Sequence, residues 1–362
     1  MGAPDRRGRH RLTTAVPARH LAGPAPGRLS RLGALVAVAM LAAPEAAALF
    51  GGHASAIAAV GAAAGRAAER PGPVAGLSPA PRRAGERQAS GSSAAAPRRI
   101  VSVVPAVTEM LFAMGAGDRV VGVSSFDTHP AEVKGLAKVG ALLDPDVERI
   151  LALRPDLVVT YASQADLVSQ MRRAGVATFD YRHGGLADVP ATIRALGRRL
   201  ETTGTAEALA GAIEQRVAAV RGAVLGRPRP RALLVFGREP LALRNVYASG
   251  GVGFLHDMLL AAGADNVFGD VGRESVQATS ELILARAPDV IVELRYGRTL
   301  TPDEVRRERE TWGLLPGVPA VARSRVVVLV GDEFVVPGPR VADALERLAR
   351  ALHPESPGAL VR

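Results

Sequence analysis

Cysteine is absent from the 362 residues. No disulfide can staple the fold, no thiolate can act as a nucleophile or metal ligand, and a lipoprotein's acylated cysteine has no candidate. Aromatic residues are scarce, with one Trp, four Tyr and eight Phe, so a place where several gather calls for a reason. Seven His are present; His10, His20 and His53 lie near the N-terminus, and His129, His183, His256 and His353 show no metal-ligand spacing. No G-x-S-x-G elbow, paired-carboxylate pattern or phosphate-binding loop with its Lys occurs, and the glycine run at Ser249–Phe254 reads as a turn into a helix. An enzyme, for instance a secreted α/β enzyme acting on a nucleotide-like substrate, then has only generic α/β character behind it.

What is present is strongly segregated. Of 45 basic and 35 acidic residues, 14 Arg and 4 acids fall in residues 1–99, which leaves 31 of each for the rest. The body is therefore neutral, the net charge of +10 belongs to a leader, and a nucleic-acid partner is not expected. Seven Arg precede the apolar run Leu32 to Ala43, and Ala46 and Ala48 can form a cleavage site. That run of about 12 residues falls short of the roughly 20 that span a bilayer, so residues 1–49 read as a signal peptide or targeting segment. Residues 50–97, rich in Ala, Gly and Pro, lack the large apolar side chains that offset ordering entropy and read as a disordered linker. The protein is expected to be exported, periplasmic or otherwise extracytoplasmic, and not a lipoprotein.

From Arg99 onward, short β-branched runs alternate with helical spacings, the pattern of βα units around a parallel sheet. Strands are predicted at Ile100 to Val104, Val120 to Val123, Leu157 to Thr160 and Ala177 to Tyr181. The helices between them are predicted from Val107, Asp146, Asp166 and Val189. Two segments then recur in order: Glu109 to Val120 resembles Asp257 to Val267, and Glu148 to Val159 resembles Glu281 to Val292. Duplication of this kind implies two similar lobes. Between them, Leu209, Ile213, Val217 and Val220 keep a helical interval over Thr205 to Leu225. The predicted fold is α/β, two βα lobes with mostly parallel sheets joined by one long rigid helix. The lobes cover residues 98–203 and 227–356, the helix covers 204–226, and the ligand cleft lies between the lobes.

Ligands of open parallel sheets sit beyond the carboxyl ends of the strands. The predicted exits carry Pro105, Phe126, Tyr161 and Tyr181 in the first lobe, and Phe236, Arg238, Arg295, Tyr296, Asp332 and Phe334 in the second. So many of the few aromatics at exits suggest a stacking pocket for a flat or macrocyclic ligand. Arg238, Arg295 and Arg340 are candidates for pairing with a ligand's anionic groups. Phe236 and Phe334 fit a buried core equally well, and Arg340 also fits a structural role at a helix start.

Arg99 to Ala116, Val121 to Asp127 with Pro130, Lys138-Val-Gly140, Ile150 to Val159, Trp312 with Leu315 and Pro316, and Pro337-Gly-Pro-Arg340 together resemble one family. It is the helical-backbone class of periplasmic binding proteins of ABC importers, in particular those for cobalamin and Fe(III)-siderophores. The resemblance implies capture of a small ligand, cobalamin first, with haem or an Fe(III)-siderophore as alternatives, and no catalysis. Tyr161 matches a pocket aromatic of cobalamin-binding relatives; for haem, Tyr161, Tyr181, His183 or Tyr296 can supply an axial ligand. The resemblance further implies an ABC permease dimer with its ATPase as partner, docked through one acid on each lobe, here Asp166 and Asp303. A monomer is expected, without a cofactor of its own, any cobalt or iron belonging to the cargo.

Overall fold

The computed structural model describes residues 96–355; the leader over 1–49, the linker over 50–97 apart from its last two residues, and position 356 lie outside them. The chain enters the first sheet with β1 (Ile100–Ser102), buried on both faces. Helix α1 (Pro105–Ala113) starts two residues before the predicted Val107, because Pro105 occupies its first turn, where a missing N–H removes no ladder bond. Then follow β2 (Val120–Val123), β3 (Ala137–Lys138), α2 (Val147–Ala152), β4 (Leu157–Tyr161), α3 (Ala165–Arg173), β5 (Ala177–Tyr181) and α4 (Asp188–Leu200). The strands are all parallel in the order β3-β2-β1-β4-β5. Central β1 has β2 on one side and β4 on the other, so its neighbouring connections leave in opposite directions and open a crevice beyond its end.

Helix α5 (Thr203–Val224) carries the chain across, 22 residues and about 33 Å long. Ala206, Ala210, Ile213, Val217, Val220 and Val224 form its buried stripe, alternating four- and three-residue steps as one helix face requires. Gly197 of α4 permits close approach, since a Cβ there would lie 2.2 Å from that of Ala206. Two ionic forks clamp the helix: Arg194 of α4 binds Glu207 and Glu214, and Arg216 binds Asp343 and Glu346 on the last helix.

The second lobe holds β6 (Arg231–Gly237), β7 (Tyr247–Ser249), α6 (Phe254–Ala261), β8 (Asp265–Asn266), β9 (Ser275–Gln277), α7 (Ser280–Arg286), β10 (Val290–Arg295), α8 (Pro302–Glu310), α9 (Pro319–Ala322), β11 (Val326–Val330) and α10 (Val341–Leu352). Its sheet runs β11-β10-β6-β7-β9, with β8 also on β6. Strands β8, β10 and β11 extend the sheet in parallel, whereas β7 and β9 add antiparallel. One edge of β6 is shared: β8 pairs with Arg231 and Ala232, and β7 with Val235 and Gly237. Apart from β7 and β9, the series β8-β6-β10-β11 repeats β2-β1-β4-β5. The sequence repeats fall on these equivalents, the first on α1 with β2 against α6 with β8, the second on α2 with β4 against α7 with β10.

Candidate functional site

Strands β4 and β5 pair in a register that sets Tyr161 beside Tyr181, and both side chains emerge at the carboxyl end of the first sheet. Their rings meet edge to face, with centroids 5.9 Å apart. Tyr181 meets His183 in the same way at 6.5 Å, and His183 meets Phe254 of the second lobe at 6.3 Å. Edge-to-face contact sets the positive rim of one ring against the negative face of the next, so this aromatic ladder crosses from lobe to lobe. Beside it lies a narrow cavity of about 10 Å³ lined by Pro105, Ala106, Tyr161, Tyr181 and His183 of the first lobe and by Val336 and Pro337 of the second.

The pocket is electrically neutral around pH 7. Burial pushes the Tyr161 phenol well above its usual range, helped by Tyr181, and raises that of Tyr181 as well, so both keep their protons. Burial lowers the His183 imidazole to about 4, leaving it uncharged, and its buried Nε2 has no hydrogen-bond partner. Uncharged aromatic rings with polar tips offer stacking faces and a few hydrogen-bonding atoms.

Other predicted site residues lie elsewhere. Phe236 is 1% exposed and packs tilted on Tyr247; it lies inside β6, which runs on to Gly237, and belongs to the core. Phe334 is equally buried, beneath the guanidinium of Arg347 at 4.7 Å. Arg238 has a fully buried side chain bound to Glu293 at 3.0 Å and Glu308 at 2.8 Å. Arg295 reaches the same two carboxylates at 2.6 Å each, and the Trp312 indole donates to Glu293 at 2.7 Å. The charge of both arginines is thus neutralised inside the second lobe. Arg340 is held by Glu109 and Glu333. None of these five residues lines the interlobe pocket, and each has partners within the protein.

Phe126 and Tyr296 are half-buried outside the pocket wall, the Tyr296 hydroxyl without a partner. Asp332 ties the lobes together: its Oδ2 accepts from the Thr128 hydroxyl at 3.1 Å and its Oδ1 from the Gly297 amide at 2.7 Å. Pro105, Tyr161 and Tyr181 are the predicted residues that the fold brings together. His183, Ala106, Val336 and Pro337 join them in the lining; the last three are small or apolar side chains that gave no local signal of a place at the cleft. Asp166 and Asp303 are exposed in the first turns of α3 and α8, where an acid also suits the helix dipole; Asp303 pairs with Arg306 at 2.7 Å. Among the described residues no group of three or more His, Asp or Glu is placed to hold a metal ion.

Comparison with known proteins agrees with this geometry. The family model described as "Periplasmic binding protein" matches residues 100–332. A vitamin B12-binding protein of Salmonella typhimurium is 31% identical over 261 residues, 71% of this chain and 91% of that protein. An uncharacterized ABC transporter substrate-binding lipoprotein of Bacillus subtilis is 28% identical over 271 residues, 72% of this chain and 81% of that protein. Among solved structures, the apo form of a periplasmic heme-binding protein from Roseiflexus sp. RS-1 superposes with a TM-score of 0.61 at 27% identity, covering 73% of this chain and 99% of that one.

Proposed function

This chain belongs to the periplasmic binding protein family, and on that premise we propose that it captures a corrinoid, cobalamin, between its lobes and delivers it to an ABC permease. As a binding protein for transport it performs no catalysis, and the enzyme alternative falls away. The observation that carries the corrinoid reading is the neutral aromatic wall at the interlobe pocket, Tyr161 beside Tyr181 with His183. A vitamin B12-binding relative covering 71% of the chain supports the same cargo.

The free phenols and imidazole of this wall also favour a second reading, haem, because a Tyr oxygen or His nitrogen can bind its iron axially. The heme-binding structural relative supports that cargo. Isothermal titration of the full chain with cyanocobalamin, haemin and a ferric hydroxamate separates the readings. Saturable binding of cyanocobalamin in preference to the others is the expected result. Preference for haemin with a shifted absorption band selects the second reading, and no binding to any of the three overturns both. Delivery uses Asp166 and Asp303, exposed on different lobes, as the acids that pair with permease arginines.

A further inference from the structure

The interlobe cavity of about 10 Å³ has room for roughly one water molecule, so a cargo needs a wall to move. Tyr181 borders two spaces. Its side chain lines this cavity and also a groove of about 260 Å³ on the outside of the first lobe, a volume approaching the roughly 300 Å³ at which small-molecule sites begin. The groove exists because β5 is the edge strand of its sheet, and because Ala191, Thr192 and Ala195, the α4 residues that face Phe179 across it, are short.

The chain leaving Tyr181 forms a strap, residues 182–186, in which Arg182 borders the groove and His183 the cavity. Two contacts tie it to α6 of the second lobe: the His183 ring meets Phe254 at 6.3 Å, and the Leu186 amide donates to Asp257 Oδ2 at 2.9 Å. Gly185 makes the second tie possible, since a Cβ there would lie 2.2 Å from the same oxygen. Leu186 is 4% exposed and anchors the far end of the strap, while the glycine pair before it leaves the middle free to pivot. The lobes themselves are joined more firmly, by the two short contacts between Glu109 and Arg340. We infer that cargo enters from the side: the strap lifts off α6, Tyr181 swings aside, and cavity and groove merge into one seat while the lobes keep their separation. The flat part of the cargo then rests on Tyr161, and an uncharged arm bearing amides or hydroxyls lies along the groove. There the Arg182 guanidinium donates to it, and the Asp188 carboxylate and Thr192 hydroxyl accept from it.

The side entrance rests on the capture reading, and its test keeps the two apart. Asp257 Cγ lies 3.4 Å from a Cβ built at position 185, so Gly185→Cys with Asp257→Cys brings two thiols within reach of a disulfide. The chain has no other cysteine to interfere. Stopped-flow mixing of the full-length double variant with cyanocobalamin compares its oxidised and reduced forms. Oxidation should slow association by about a hundredfold or more, because a locked strap removes the state that admits cargo, and dithiothreitol should restore it. Unslowed association in the oxidised form, or thiols that stay titratable after oxidation, overturns the proposal. Thr192→Trp gives an independent reading, since it fills the groove from the surface of α4 and leaves strap and cavity untouched. Calorimetric affinity should fall about tenfold, the scale of one lost aromatic contact, with the denaturation midpoint unchanged. Wild-type affinity in Thr192→Trp overturns the groove as part of the seat. If the unmodified chain binds cyanocobalamin while neither variant responds, capture stands and the side entrance falls; if it binds neither cyanocobalamin nor haemin, both fall.

Discussion

Glu109 of α1 and Arg340 at the start of α10 form a bidentate ion pair from one lobe to the other, with Nη2 2.6 Å from Oε1 and Nε 2.9 Å from Oε2. The pair leans on Gly338, where a Cβ would come within 2.9 Å of Glu109 Oε2. It continues through Glu333 to Arg347. Glu109 is 5% exposed and Arg340 23%, so water screens the pair only in part. Glu109→Gln keeps the shape and removes the charge; it should lower unfolding free energy by about 2 kcal/mol, the range for hydrogen bonds to charged groups. Small-angle scattering should show a larger radius of gyration as the lobes loosen. An unchanged denaturation midpoint would show that the pair adds nothing to closure.

Tyr161→Ala removes the first ring of the aromatic ladder that lines the pocket. Affinity for cyanocobalamin should fall at least tenfold, about 1.4 kcal/mol, as expected for a lost aromatic contact and its buried area. Calorimetric titration decides this, and wild-type affinity in the variant would place Tyr161 outside the site.

Arg238→Ala leaves Glu293 and Glu308 sharing Arg295 alone in the interior of the second lobe. Breaking a buried ionic cluster by removing one partner costs about 3–5 kcal/mol, so urea denaturation should show a loss of that size. The folded fraction should bind ligand as the wild type does. Impaired binding with undiminished stability would instead return Arg238 to the cleft.

Asp166→Ala combined with Asp303→Ala touches neither pocket nor core. Ligand affinity should stay within twofold of wild type, because isolated surface charges contribute little to folding or to a distant site. Uptake of labelled cobalamin by cells that depend on this protein should drop. Normal uptake would remove these acids from the docking surface.

The parts legible in the sequence are those with short-range causes. Strands β2 and β5 lie where β-branched runs placed them, and Tyr161 and Tyr181 could be named because each ends such a run. The duplicated segments announced two lobes, since each repeat runs from within a helix into the strand after it. Partnerships over long separations were hidden. Arg238 meets carboxylates 55 and 70 residues away, and Glu109 meets Arg340 across 231 residues, distances at which no local pattern survives. Phe236 misled because β6 runs one residue past it, turning a presumed exit into an interior position. Strands β7 and β9 have three residues each, too few to display an alternating pattern.

The interlobe helix is gripped by Arg194 of the first lobe at Glu207 and Glu214, and by its own Arg216 to Asp343 and Glu346 of the last helix, each grip an arginine fork between two carboxylates. One fork therefore fastens the rod to the first lobe and the other fastens it to the second, and the two attachments meet near its middle at Glu214 and Arg216. Both lie at least partly open to solvent, where mobile ions weaken Coulomb attraction. The fastening of the two lobes to their shared rod is therefore firmest in dilute buffer and slackens as salt is added.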